Sequence, residues 1–202
     1  MEILTSESLF KQSFERAISP EGYMNLLQEY SAAGKTTGPK QAEDLIHYTR
    51  LNAQRGRRIF KTWTLNQELV EKIKSIGEKQ TWLLLTESWC GDAANSVPVI
   101  SRLANQNPSI DLKVLLRDSN LEIMDQYLTN GGRSIPKLIV IDQGFNELFT
   151  WGPRPQQAQD LYSEWRNSEN RIPYSEFHLL MQQWYNQDKG EAVQRELLKF
   201  IS

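Results

Sequence analysis

Apolar positions in the first eighty residues recur at helical spacing. Leu9, Phe10, Phe14 and Ala17 form one stripe that stops at Ser19-Pro20, where a capping side chain and a first-turn proline predict a second helix through Leu26, Leu27 and Tyr30. Gly34 ends it, and Lys35 to Pro39 reads as a loop. Leu45, Tyr48 and Leu51 then carry a third helix from Gln41 to Arg55, with Gly56 as its expected break. Asn66 predicts the cap of a fourth, running to Ile76 and closing on Gly77.

From residue 81 the period changes. Thr81 to Thr86 is a short apolar run bounded by polar residues, which predicts a strand covered on both faces. Ala93, Val97, Ile100 and Leu103 place a helix over Asp92 to Ala104, followed by a strand at Leu112 to Leu116, a short helix at Leu121 to Leu128 and a strand at Lys137 to Ile141. Asp142-Gln143-Gly144 is a turn, and Glu147 to Thr150 pairs back as a hairpin strand. Strands alternating with helices argue an α/β chain with one parallel pair, closed by an antiparallel hairpin. After Gly152-Pro153-Arg154-Pro155 the spacing is helical again, through Ala158, Leu161 and Trp165 and then Phe177, Leu180 and Trp184. The aromatic residues of this last part suit packing between helices.

Composition narrows the function classes. A hydrophobic fraction of 39% with six tryptophans suits a folded core, and a net charge of -2 lacks the basic excess of a nucleic-acid-binding protein. The basic run Arg50, Arg55, Arg57, Arg58 and Lys61 reads as a solvated helix face. The amino terminus has no basic start followed by an apolar run, and no segment approaches the roughly 18 apolar residues of a membrane span, so a cytoplasmic protein without membrane contact is expected. His47 and His178 show no ligand spacing, and Gly34-Lys35-Thr36 lacks the glycine of a phosphate loop because Glu29 stands in its place. Neither a metal nor an organic cofactor is expected.

Cys90 is the single cysteine, so any disulfide must involve another molecule. It stands at the start of a predicted helix, where unpaired N–H groups and the helix dipole favour a thiolate. The neighbouring Asp92 opposes that anion.

Trp89-Cys90-Gly91 lies at a strand-to-helix junction, with Pro98 later in the helix, Asp118 after the next strand, Ile135-Pro136 before the third and Gly152 after the hairpin. In this order and spacing, residues 79–168 resemble the thioredoxin superfamily. The resemblance implies an α/β thioredoxin-like fold, a central mixed sheet flanked by helices, with added helices at both ends. The expected division is a helical extension over 1–78 packed on the core, a thioredoxin-like domain over 79–168 and a helical extension over 169–202. Such extensions look like those of some bacterial thioredoxin-like proteins.

The resemblance also implies a cis Pro136 against Cys90, with Ile135 presenting its backbone to an extended peptide. Cys90 and Asp92 become the candidate catalytic residues, and Trp89, Gly91, Ile135, Pro136 and Trp151 the candidate substrate contacts. Arg154 would rim the groove beside Trp151, which alternatively caps the core. Two departures remove parts of the dithiol cycle: Ala93 replaces the second cysteine, and Leu84 stands where many members bury a carboxylate. Two functions remain open. One is monothiol exchange between Cys90 and a protein or small-molecule thiol or disulfide, resolved by a thiol from solution. The other is a non-catalytic module that keeps the groove for protein or peptide binding. Cys90→Ala ends the first and spares the second. The pattern sets no oligomeric state.

Overall fold

A computed structural model describes residues 6–201; the remaining residues of the extents 1–78 and 169–202 lie outside it. Its sheet has four strands, β1 (Gln80–Thr86), β2 (Ile110–Leu116), β3 (Lys137–Asp142) and β4 (Glu147–Trp151), in the order β2-β1-β3-β4. The helices are α1 (Ser6–Arg16), α2 (Pro20–Ala33), α3 (Glu43–Thr62), α4 (Gln67–Ser75), α5 (Gly91–Ala104), α6 (Leu121–Met124), α7 (Gln156–Asn167), α8 (Tyr174–Asp188) and α9 (Glu191–Leu198).

β1 runs parallel to β2, placing Leu84 opposite Val114, and antiparallel to β3, which places it opposite Leu138. The hairpin strand β4 pairs antiparallel to β3, with a register shift at Val140/Ile141. Because β1 is central, its run from Trp82 to Leu85 is buried throughout, as the unbroken apolar stretch requires. The parallel pair needs a crossover, and α5 supplies it. On the other side of β2, Ile18 forms an antiparallel bridge with Val114, each N–H reaching the other's carbonyl at 2.8 Å.

The expected helix signals operate where local chemistry suffices. Ser19 accepts the Gly22 N–H, Gly34 closes α2 in the left-handed region at φ 64°, and Asn66 accepts the Leu69 N–H. Strand ends differ from expectation by one or two residues, and four helix boundaries differ for reasons visible in the fold. α3 runs through Gly56 instead of breaking there, because Met24 and Pro98 would lie 3.5 and 3.7 Å from a Cβ at that position, so the glycine admits a close crossing with α2 and α5. α3 starts at Glu43 because the Gln41 side chain is used on the preceding loop, donating to the Thr36 and Gly38 carbonyls. α4 ends at Ser75 and is capped by Ile76, not Gly77, and the Asn107 amide donates to the carbonyls of Ile73 and Ile76. α6 is one turn long: Ile123 and Met124 are buried, whereas Leu128 is exposed and gains nothing from continuing it.

The helices before β1 and after β4 are tied together. Gln194 of α9 accepts the Asn66 N–H and donates to the Thr64 carbonyl, tying the end of the chain to the α3–α4 link. No described helix is long and apolar enough to cross a membrane.

Candidate functional site

The loop Glu87–Trp89 leads from β1 into α5 and is held from behind by the loop before α3 and by α3 itself. Ser88 is the hub: its Oγ lies 2.8 Å from Thr49 Oγ1 and 3.1 Å from Thr36 Oγ1 and accepts the Thr37 N–H at 2.9 Å. Its own N–H donates to Thr37 Oγ1 at 2.8 Å, and its carbonyl accepts from Asn52 Nδ2 at 2.9 Å. The segment Lys35 to Pro39, read from sequence as a plain loop, is therefore the platform of the site-bearing turn.

Beside it lies a carboxylate that sequence reasoning missed. Glu87 is buried, its Oε1 accepting the Asp118 N–H at 2.7 Å and its Oε2 accepting the Thr37 hydroxyl. Burial raises its pKa above the usual carboxylate value, and these two hydrogen bonds act in the opposite sense. A lone acid closing an apolar strand was the available signal. It stands three positions before Cys90, whereas the family pattern pointed to Leu84.

Cys90 occupies the cap position of α5 and is 7% exposed. Its Sγ donates to the Ile135 carbonyl at 3.3 Å and accepts the Ala93 N–H at 3.4 Å. Burial, followed by the nearby Asp92 charge, pushes the thiol up to about 12; the Ala93 amide and Arg154 act the other way but do not prevail. The thiol is thus held as a neutral donor. The Ile135–Pro136 peptide bond is cis, and among the described residues the Ile135 N–H has no partner.

An open groove of about 620 Å³ lies over these atoms. Trp89, Cys90, Gly91, Asp92 and Ile135 line it, together with Pro39 from the loop before α3 and Tyr174 from the start of α8. Its arginines are each engaged by an acid. Arg117 pairs with Asp118 at 2.6 Å and lies over the Trp89 ring at 4.9 Å. Arg133 pairs with Asp125 at 2.6 Å, and Arg154 with Asp92 at 2.5 Å.

Asp92 turns towards Arg154 and Tyr185. One carboxylate oxygen accepts from Arg154 Nη2 and Nε, and the other accepts the Tyr185 hydroxyl at 2.8 Å. Burial works against the Arg154 charge, but Asp92 outweighs it and holds the guanidinium more firmly protonated than usual. Arg154 also stacks on Tyr162 at 4.4 Å. Asp92 therefore joins the start of α5 to the β4–α7 loop and to α8.

Of the sequence-predicted residues, Trp89, Cys90, Gly91, Asp92 and Ile135 converge on the groove, with Arg154 at its rim. Pro136 lies behind Ile135 against Gly152. Trp151 does not join them: it is 5% exposed, and its indole N–H donates to Glu196 of α9 at 2.7 Å, the core-capping placement. His178 was not expected here. Its ring lies 4.7 Å from that of Tyr48, tilted by 50°, and its Nε2 would lie 3.0 Å from a Cβ at Gly91, so the glycine makes room for it. Burial lowers its pKa, with Arg55 adding to the effect. Among the described residues no group of three or more histidines, cysteines or acids is placed to hold a metal.

Comparisons with known proteins bear on the family and the fold. A family model described as Thioredoxin matches residues 38–166. A solved protein of unknown function from Pseudomonas aeruginosa is similar over 98% of both chains, at 16% identity and a TM-score of 0.63. An HIV epitope-scaffold is similar over 86% of this chain and 96% of its own, at 19% identity and a TM-score of 0.54. At these identities the two likenesses concern the fold. No curated protein matches the chain.

Proposed function

The chain belongs to the thioredoxin family, and on that premise we propose that it is a binding module which receives an extended protein or peptide segment in the groove beside Cys90. The observation that carries this reading is the Cys90 thiol itself, buried, protonated and donating to the Ile135 carbonyl. A nucleophile needs an exposed thiolate, and this sulfur is the reverse on both counts. The groove nevertheless keeps what a peptide requires: the unpartnered Ile135 N–H, the exposed Tyr174 ring and the half-buried Trp89 ring. With Arg117, Arg133 and Arg154 each paired to an acid, recognition rests on backbone and rings more than on net charge.

The test is alkylation of Cys90 by a small reagent as a function of pH, followed by mass. Slow reaction near neutrality, with an apparent pKa well above the ~8.5 of a free thiol, is expected. Titration of the ¹⁵N-labelled chain with unstructured peptides should shift the amides of Trp89, Ile135 and Tyr174, and Cys90→Ala should preserve those shifts.

Monothiol exchange is the second reading. The Ala93 N–H directed at Sγ favours it, since that donor stabilises a thiolate once the sulfur is uncovered. Rapid neutral alkylation together with a mixed disulfide formed from oxidised glutathione would establish it over the binding module.

A further inference from the structure

A second groove lies at the other end of α5, about 16 Å along the helix from Cys90 by the rise per residue. It has a volume of about 360 Å³ and is framed by α2, α3 and the last turn of α5. Its floor is apolar, built from Pro20 and Met24, with the exposed Phe60 ring at its edge. Arg57 and Lys61, one helical turn apart on α3, stand at its rim. Among the described residues neither has an ion-pair partner; Arg57 donates only to the Gln28 side chain, at 2.9 Å. Glu21 lies on the α2 side, so an anion in the groove is directed to the α3 side.

Ser101 supplies an independent sign of a ligand. It lines this groove, is 2% exposed, and its hydroxyl has no hydrogen-bond partner. The hydroxyl lacks the hydrogen bond it would have in water, and a partner that reaches it from the groove supplies one.

We propose that this groove binds a small amphipathic carboxylate, its chain on Met24 and Phe60 and its head on Arg57, Lys61 and Ser101. The volume falls in the roughly 300–1,000 Å³ range of small-molecule sites. A protein partner would need on the order of 800 Å² of surface on each side, far more than a hollow between single turns of three helices offers. The basic run of α3 is thereby divided: Arg58 donates to Asn186 of α8, while Arg57 and Lys61 face the groove. This site is independent of the reading given for Cys90.

The experiment uses the full chain and two probes of equal length, octanoate and octanol, in calorimetric titrations below their aggregation limits. Octanoate should bind saturably at one site and octanol about tenfold more weakly, the worth of one charge-assisted hydrogen bond. The double variant Arg57→Gln/Lys61→Gln should bring octanoate down to octanol, and Ser101→Ala should weaken octanoate several-fold without lowering the melting temperature. Met24→Trp, which fills the hollow, should abolish binding. The Met24 methyl resonance of the unaltered chain should move during the octanoate titration, locating the site even where a variant fails to fold. Equal affinity for the two probes, absence of saturable binding, or a Met24 resonance that stays fixed while octanoate binds would overturn the proposal.

Discussion

Asp92→Asn removes one negative charge from a buried cluster while keeping its shape. In the folded chain Asp92 and Arg154 are 13% and 14% exposed at the side chain, joined at 2.5 Å, with the Tyr185 hydroxyl on the second oxygen. Asparagine retains an acceptor for Tyr185, so the loss falls on Arg154, a buried cation without its counter-charge. Breaking such a pair costs about 3–5 kcal/mol. Arg154 keeps the Gln159 side-chain Oε1 at 3.0 Å and the Tyr162 ring at 4.4 Å, which lowers the expected loss to about 2–4 kcal/mol. For a chain of this size each kcal/mol shifts the midpoint by about 2–4 °C, so thermal melts followed by circular dichroism should drop by roughly 5–15 °C. Arg154→Met made together with Asp92→Asn removes the stranded charge and should recover most of that loss. A single variant that melts within about 1 °C of the parent, or a double variant less stable than the single one, would refute the reasoning.

Three further outcomes follow from the same geometry. The folded chain holds the Cys90 proton to about 12 and the unfolded chain only to about 8.5, so its contribution is constant below 8.5 and is lost as pH rises above it. Urea unfolding should therefore show a loss of about 2 kcal/mol between pH ~8.5 and ~10, absent from Cys90→Ala; parallel pH dependence in the two proteins contradicts the buried thiol. Ser88→Ala strands the Thr37 N–H and takes one partner from each of the Thr36 and Thr49 hydroxyls, which keep each other at 2.8 Å, and should lower stability by about 1–3 kcal/mol, read as a fall in the urea midpoint at unchanged slope. Gly152→Ala should yield no stably folded protein, since φ is 110° and a Cβ would sit 2.2 Å from the Pro136 carbonyl oxygen; a parental melting curve would contradict this.

What could be read in advance follows the range of the interaction involved. The unbroken run of β1, the caps Ser19 and Asn66 and the stop at Gly34 are set within a few residues, and the pattern showed them. Gly56 misled because a glycine in a helical stretch has two meanings, and only the crossing with α2 and α5 decides between them. The groove shows the same division. Cys90, Gly91 and Ile135 belong to a motif, whereas the partners of Asp92 lie 62 and 93 positions along the chain. Pro39 and Tyr174 come from segments before β1 and after α7, where no motif marks them. Trp151 could face either way from β4, and its partner Glu196 settles it from α9. Glu87 was legible in principle, as an acid adjoining a fully apolar strand.

The bridge between Ile18 and Val114 has a consequence for how copies of this chain meet. An exposed strand edge is a template for another strand, and β2 would otherwise offer one seven residues long. Ile18 occupies both the amide and the carbonyl of Val114 at its centre and so interrupts the ladder an incoming strand would need. The opposite edge is β4, shorter, and paired with a strand whose register shifts at Val140/Ile141. The two margins of the sheet are thus unlike, and end-to-end growth of sheets, which needs both, is checked on the β2 side by a single residue of the α1–α2 link.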